Sequence, residues 1–401
     1  MNENSQYVVG IDIGTDSIKC VVASLNDEMQ PTVVGVGEAK NSGMRKGVIS
    51  NLSGPAKAID QALGEAERVS GFQVNRATIS INGSHILSTK TNGMIAIGAV
   101  DHEINEADIL RLEDVATLGK IPANREILDF VPHSYRLDGQ DSIRDPLGMT
   151  GSRLEVDANV ISALTPYLNN LHKTAEMAKV TPDQTVPSVV ASAKAVLSES
   201  QTESGVAVID FGASTTSVAI FEDGDLQFVR VIPVGGSNIT NDLAIGLKTV
   251  PEVAEIIKVQ HGTAIPRSEQ RNVMVKREKE HYSFAVEDID EIIEARLEEI
   301  FGAIKTELKK AGKDKKLPSG VVLTGGGANL RKINEFAKNH LELASQVADL
   351  SGINSAAGEI AKPELSAAIG LMMIDINHIS SGRGNSSRGE GFFEKLFGKK
   401  K

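Results

Sequence analysis

Residues 8–22 read VVGIDIGTDSIKCVV, and residues 206–220 read VAVIDFGASTTSVAI. Laid over one another at an offset of 198, the two stretches match Asp12 with Asp210 and Gly14 with Gly212. In each, a β-branched run suited to a buried strand stops at an Asp and reopens after a Gly flanked by small hydroxyl residues, which predicts strand, tight turn, strand. Such a hairpin offers a phosphate three things. A Gly lets backbone amides approach phosphate oxygens, and Thr15 and Ser17, or Ser214, Thr215 and Thr216, supply hydroxyl donors. Asp12 and Asp210 place negative charge where a hydrated Mg²⁺ would sit, because Mg²⁺ keeps most of its waters and takes carboxylates through them. One copy alone is an ordinary β-hairpin; two copies half a chain apart predict a pseudo-twofold molecule that grips a polyphosphate between its halves.

The rest of the chain fits around that repeat. Its 401 residues exceed what one core normally serves, so two major domains are expected. With 41% hydrophobic and 24% charged residues the bulk should fold. A formal charge of −11 argues against a nucleic-acid partner, which requires a basic face. The one cysteine, Cys20, excludes an internal disulfide, suits a reducing compartment, and reads as a small buried hydrophobe in the strand after the first hairpin. The polar start MNENSQ and the lack of an apolar run of about 20 residues predict a cytoplasmic protein, neither exported nor transmembrane.

Helical spacing marks Gly54 to Gly71, the stretch from about Asn105 to Gly119, Tyr167 to Ala178, SVVASAKAVL from Ser188, which is expected to cross between the halves, and a long amphipathic helix beginning VEDIDEIIEARLEEI. From Ser84 to about Ser162 the texture changes to short strands and loops, which reads as an inserted subdomain. VIPVGGSNITNDLA passes from strand through Gly235 and Gly236 into a helix, and the chain from there to about Lys316 reads as charged and mostly helical. GVVLTGGGANL runs a buried strand into Gly325, Gly326 and Gly327, with a helix just beyond; as a third glycine turn on the cleft it is expected to meet a nucleotide base. ELSAAIGLMMID, with Gly370 among small residues, predicts a closely packed final helix.

The end of the chain is of another kind. Residues 380–391, SSGRGNSSRGEG, form a flexible linker with a reach of roughly 20 Å, and FFEKLFGKKK follows. If helical, that end groups Phe392, Phe393, Leu396 and Phe397 within about 140° of arc, while Lys395, Lys399, Lys400 and Lys401 supply positive charge for an anionic membrane surface. Lys399 and Lys400 do not fall opposite the apolar face, so either their long stems snorkel or the last turn frays. One such tail binds weakly and reversibly; many tails on a polymer attach firmly, so the tail points to self-association.

Two Asp-X-Gly hairpins, a Gly-Gly turn, a Gly-Gly-Gly turn and a helix crossing between halves resemble the actin, Hsp70 and sugar-kinase ATPase superfamily. Within it, ISINGSHI, NGMIAIG, IPANREILDFVPHSYRLDGQDSIRDPLGMTGSRLEVD and IIEARLEEI, together with the linker and amphipathic end, closely resemble the FtsA family of actin-like bacterial cell-division proteins, over essentially the whole chain from Tyr7. The resemblance implies an α/β, actin-like two-lobed ATPase fold: subdomain 1A over 1–83 and 163–205, an inserted 1C-type subdomain over 84–162, 2A over 206–238 and 317–379, 2B over 239–316, the linker over 380–391 and a C-terminal amphipathic membrane-targeting helix over 392–401. It implies a protein that binds ATP with Mg²⁺, polymerises, tethers FtsZ filaments to the cytoplasmic face of the membrane at the division site, and recruits later division proteins. Carried over by residue, Asp12, Gly14, Thr15 and Ser17 form the first phosphate hairpin and Asp210, Gly212, Ser214, Thr215 and Thr216 the second. Gly235 and Gly236 line the phosphate and ribose side, Glu255 and Lys258 the ribose, and Gly325 to Gly327 the adenine. Arg296 matches a position in the family's FtsZ-peptide-binding subdomain; an exposed helix Arg suits an acidic peptide, and on local sequence it equally suits a solvated pairing with the neighbouring Glu residues.

Ala213 and Ser214 depart from the superfamily's glycines in the second hairpin, so any position there that needed positive φ would be strained. A residue to orient an attacking water is not evident; Gln184, read at the start of the crossing helix, is a weak candidate, so slow hydrolysis of ATP is left open. Two other readings stand at this point: a pilus-assembly adaptor of the PilM type, and a small-molecule kinase of the same superfamily. The tail and the 138–157 segment weigh against the first; the tail, and the lack of an evident general base, weigh against the second.

Overall fold

The computed structural model describes residues 6–98, 103–269, 271–278 and 280–380. Each half is built on the same five-strand plan. In the first, the strands run Thr181–Pro187, Arg76–Ile81, Tyr7–Ile13, Ser17–Leu25, Pro31–Lys40 across the sheet. The last three form an antiparallel meander, and the first two lie parallel to Tyr7–Ile13 and to each other. In the second half the order Ser345–Val347, Val321–Thr324, Val206–Phe211, Thr216–Glu222, Asp225–Ile232 repeats that plan, with the same parallel and antiparallel pairings. The offset holds within the ladders: Asp12 pairs with Lys19 and Asp210 with Ser217. Tyr7–Ile13 and Val206–Phe211 are central strands, which is why they read as near-continuous apolar runs.

Two helices lock the first half. Ser188–Val196 and the final helix Ser366–Ser380 cross closely, and a Cβ on Gly370 would come 1.7 Å from the Ala191 carbonyl oxygen. The final helix also lies on Tyr7–Ile13, where a Cβ on Gly10 would fall 2.2 Å from the Ala368 carbonyl. The expected helix at Gly54–Gly71 is Ser53–Ser70, ended by Gly71 in the left-handed conformation. Cys20 is fully buried beside it, as read.

The inserted segment has its own core around Ile95, Leu112, Phe130, Leu154 and Val160. Its strands Leu87–Ala96, Arg153–Leu164, Arg125–Leu137 and Gln140–Ile143 extend the sheet of the second half through the pair Arg230 and Leu87. Its helix, Glu106–Thr117, opens with a reciprocal capping box between Asn105 and Asp108.

Three local expectations are corrected. Gln184 lies inside the strand Thr181–Pro187, not at the start of the crossing helix, which begins at Ser188. That strand is at a sheet edge, where Pro182 and Pro187 are tolerated despite lacking an N–H. The segment read as mostly helical contains a β-hairpin, Asn272–Arg277 with Glu280–Ala285, that buries Val273 and Val275 and exposes Met274. Beyond Thr324 the chain makes a short 3-10 turn, Gly326–Asn329, and the α-helix waits until Ile333. The linker and amphipathic end, with Phe392, Phe393, Lys395, Leu396, Phe397, Lys399, Lys400 and Lys401, lie outside the described residues.

Candidate functional site

The two hairpin turns face one cavity of about 780 Å³ between the halves. Asp12, Gly14, Thr15 and Ser17 line one side, and Asp210, Gly212, Ala213 and Thr215 the other. The turns touch directly: the Ser214 hydroxyl donates to Thr15 Oγ1 at 2.9 Å. Repetition at an offset of 198 thus becomes two like loops opposed across a cleft.

The glycines act by close approach. A Cβ on Gly14 would sit 2.6 Å from the Ser17 carbonyl oxygen, and one on Gly212 3.0 Å from that of Thr215. Neither glycine has positive φ, and neither do Ala213 and Ser214, so the strain expected from Ala213 does not arise. Gly235 is extended and packs on the second turn, where its Cβ would fall 2.6 Å from the Gly212 carbonyl. It starts the helix Gly236–Gly246, whose first amides are taken by hairpin carbonyls: Gly236 N–H donates to Gly212 and Ser237 N–H to Ala213. Thr216 is turned away, its hydroxyl donating to the Val234 carbonyl at 2.8 Å, so it braces the hairpin, and Thr215 lines the cavity in its place. Ser17 is buried and accepts from the Lys19 ammonium at 2.8 Å.

Electrostatics single out the carboxylates. Burial pushes Asp12 above the usual carboxylate range, opposed by the charge of Lys19 and by the Ser80 hydroxyl, which donates to Oδ1 at 2.8 Å. Asp210 is pushed up to about 7 by burial and by the charge of Asp12, with the Ser188 hydroxyl and Lys19 opposing. Two buried carboxylates in one cleft, the charge of Asp12 raising Asp210, hold a divalent cation well, because the cation removes the repulsion that burial magnifies. Among the described residues no cluster of three or more His, Cys, Asp or Glu could hold a metal directly. A water-rich Mg²⁺ touched by two carboxylates needs none, so these residues fit it.

The three glycines after Thr324 divide their work. All line the cavity. Gly325, at φ +78°, backs Asp210, and a Cβ there would reach 2.5 Å from Oδ1. Gly327 packs on the Phe211 ring, and Gly326 alone is open. At the mouth, Lys40 pairs with Asp16 at 2.8 Å on one lip, and Lys258 pairs with Glu255 at 2.7 Å on the other. The Thr240 hydroxyl and the Gly236 carbonyl also accept from Lys258.

Of the residues expected around the nucleotide, Ser214, Thr216, Gly235 and the candidate Gln184 are not among those that line the cleft. Gln184 is absent from its lining, which removes the basis for a water-orienting role. Arg296 lies on Val286–Lys310 and forks onto Asp242, with Nη2 to Oδ1 at 3.0 Å, while Nη1 reaches Glu299. Residues the sequence reading passed over are Lys19, Ser80 and Asn82. A lysine inside the buried run SIKCVV, opposite Asp12 in the ladder, was the available signal for the first.

Two lobes of one plan, two Asp-bearing hairpins facing a shared cleft and crossing helices beneath it define a protein of the actin-like fold. Solved structures of low sequence identity carry the same architecture: the PilM-PilN type IV pilus biogenesis complex at TM-score 0.67 and 16% identity, covering 92% of this chain and 98% of that one, and MreB5 of Spiroplasma citri bound to ADP at 0.54 and 13%, covering 94% and 99%. The family description "Cell division protein FtsA" matches residues 207–370, and "SHS2 domain inserted in FTSA" matches residues 83–162. The cell division protein FtsA of Pseudomonas aeruginosa is 30% identical over 97% of this chain and 94% of its own length; that of Neisseria meningitidis is 34% identical over 93% and 91%. The chain belongs to the FtsA family of cell division proteins.

Proposed function

We propose that this actin-like cell-division protein binds ATP with Mg²⁺ in the interlobe cleft, polymerises, and tethers FtsZ filaments to the cytoplasmic face of the membrane at the division site, where it recruits later division proteins. The observation that carries the nucleotide reading is the convergence of Asp12 and Asp210 on one cavity, with their turns joined by Ser214 and Thr15. Gly14, Thr15, Gly212 and Thr215 would hold the phosphates, Lys19 would balance their charge, and Gly236, Glu255 and Lys258 would face the ribose. Gly326 would meet the base edge. Mg²⁺, when bound, neutralises phosphate oxygens; the part of Asp12 and Asp210 is to orient its waters.

The domain boundaries proposed are those read from the sequence: 1–83 with 163–205, 84–162, 206–238 with 317–379, and 239–316. Hydrolysis is not required by this reading, since no side chain in the cleft is assigned to orient a water. Arg296 is the proposed contact for the acidic FtsZ C-terminal peptide, and a peptide carboxylate there competes with Asp242 for the guanidinium. No helix among the described residues is long and apolar enough to cross a membrane, so attachment is assigned to the amphipathic end at 392–401, aided by many copies in a polymer. Membership of a cell-division family favours this over a pilus adaptor, because the likeness to the PilM complex is one of fold alone. Electron microscopy on an anionic lipid monolayer, with and without Mg·ATP, tests nucleotide, polymer and membrane together. Filaments on the lipid that depend on ATP are expected; an even coat indifferent to ATP would overturn the proposal.

A further inference from the structure

We propose that Asn82 is a positioning residue that makes the setting of the inserted segment depend on whether a terminal phosphate occupies the deep end of the cleft, an inference that rests on the nucleotide reading above. Four turns meet there. The first hairpin brings Thr15, the second brings Thr215, the short hairpin Met44–Ile49 brings Gly47, and the end of Arg76–Ile81 brings Asn82 and Gly83. The Gly47 amide donates to Thr15 Oγ1 at 3.2 Å, and a Cβ on Gly47 would stand 2.9 Å from the Gly83 nitrogen and 3.2 Å from Thr215 Cγ2, so backbone closes that end.

Asn82 lines the cavity and joins the halves. Its Nδ2 donates to Thr215 Oγ1 at 3.3 Å, and its Oδ1 accepts from the Ser217 hydroxyl at 3.3 Å. These are long bonds between neutral groups. A phosphate brings charged acceptor oxygens, whose hydrogen bonds are roughly twice as strong, so a terminal phosphate between Thr15 and Thr215 draws both hydroxyls and the Asn82 amide to itself. A diphosphate has no group there and leaves Asn82 on Thr215.

The inserted segment is rooted at this residue. Gly83 follows at φ +123°, and a Cβ on it would lie 2.8 Å from Val48 and 2.9 Å from His85. His85 stacks on Tyr167 with ring centroids 4.5 Å apart, and its carbonyl accepts from Arg125 Nη2 at 2.5 Å. Arg125 also donates to the Ser162 hydroxyl at 2.9 Å and the Ser162 carbonyl at 2.8 Å, where the chain returns to the first half. One set of contacts therefore runs from the phosphate end to both the exit and the return of the inserted segment. A ligand shifts such a set only through contacts it makes in one arrangement and lacks in the other, and the terminal phosphate supplies that difference.

The test is amide hydrogen exchange on the full chain at saturating Mg·ADP and saturating Mg·AMP-PNP, read in peptides covering Leu87–Ala96 and Arg153–Leu164. The wild type should open about fivefold or more differently in the two states, the lower bound of ordinary coupling between sites. Asn82→Ala should bring that ratio below about twofold. Asn82→Asp, of the same size, should do the same because it presents a carboxylate to the phosphate. Matched exchange over Tyr7–Leu25 shows that the variants are folded. A wild-type ratio in either variant, or equal exchange with both nucleotides in the wild type, would overturn the inference. Failure of the wild type to bind either nucleotide would instead refute the reading of the cleft, and the inference with it.

Discussion

Asp210→Asn should stabilise the nucleotide-free protein in alkaline buffer while weakening its grip on Mg·nucleotide. In the fold Asp210 keeps its proton up to about pH 7, whereas an unperturbed Asp loses it near 3.8. Between those values the folded chain binds more protons than the unfolded chain, so stability falls as pH rises through that window and levels off above it. About three pH units at 1.36 kcal/mol each set a ceiling of about 4 kcal/mol. Solvent reaches this part-buried carboxylate, which brings the expected effect to about 2 kcal/mol. His85 works the other way: held neutral down to about 4 by burial, it gains stability with rising pH between about 4 and 6.5. Subtracting the variant from the wild type cancels His85 and leaves the contribution of Asp210 together with its repulsion by Asp12. The assay is urea unfolding of both proteins at pH 5.5, 7.0 and 8.5. The variant's advantage should grow by about 1 to 2 kcal/mol from the first to the last. With Mg·ATP present the order should invert, since the wild type then gains binding free energy that the variant lacks. A difference constant across pH, or a variant less stable than wild type at pH 8.5 without ligand, would refute the reasoning.

Four further outcomes follow from particular contacts. Gly370→Ala forces apart the helices Ser188–Val196 and Ser366–Ser380, and should cost about 3 kcal/mol or more in urea unfolding because the opposing atom is backbone; unchanged stability would contradict that packing. Deletion of 391–401 should release the protein from anionic liposomes in sedimentation while ATP affinity stays as before, and full retention on the lipid would remove the tether. Arg296→Glu should weaken binding of an FtsZ C-terminal peptide by tenfold or more, roughly the worth of one charge-assisted pair; an undiminished titration would reject the assignment. Cys20, buried with its thiol pushed up by burial and the charge of Glu67, should resist a thiol reagent in the native state and react fully once unfolded; fast native reaction would place it at the surface.

The halves of the fold were legible because the signal was redundant. Asp12 and Asp210 each end a buried run, and both runs become central strands. Local pattern failed where context overrode it. TPDQTVP carries two prolines and little alternation, yet forms a strand because the neighbour Arg76–Ile81 pairs it in parallel at an open edge. The alternation of Val273 and Val275 was present but short, and the charged residues after it masked a hairpin. Site residues divided in the same way. Turn residues were visible because their types announce their chemistry, whereas Lys19, Ser80 and Asn82 acquire theirs only across strands. Thr216 shows the converse: a residue type suited to a ligand, spent on bracing Val234.

The central claim is that the paired acidic turns clasp a magnesium-bound triphosphate. Calorimetric titration of ATP into the intact chain, with Mg²⁺ and then with a chelator, tests it most directly. One nucleotide per chain is expected, with affinity that falls by at least tenfold when Mg²⁺ is removed and is lost when Asp12 and Asp210 are both replaced by Ala. Absence of binding with Mg²⁺ present, or affinity untouched by the double replacement, would contradict it.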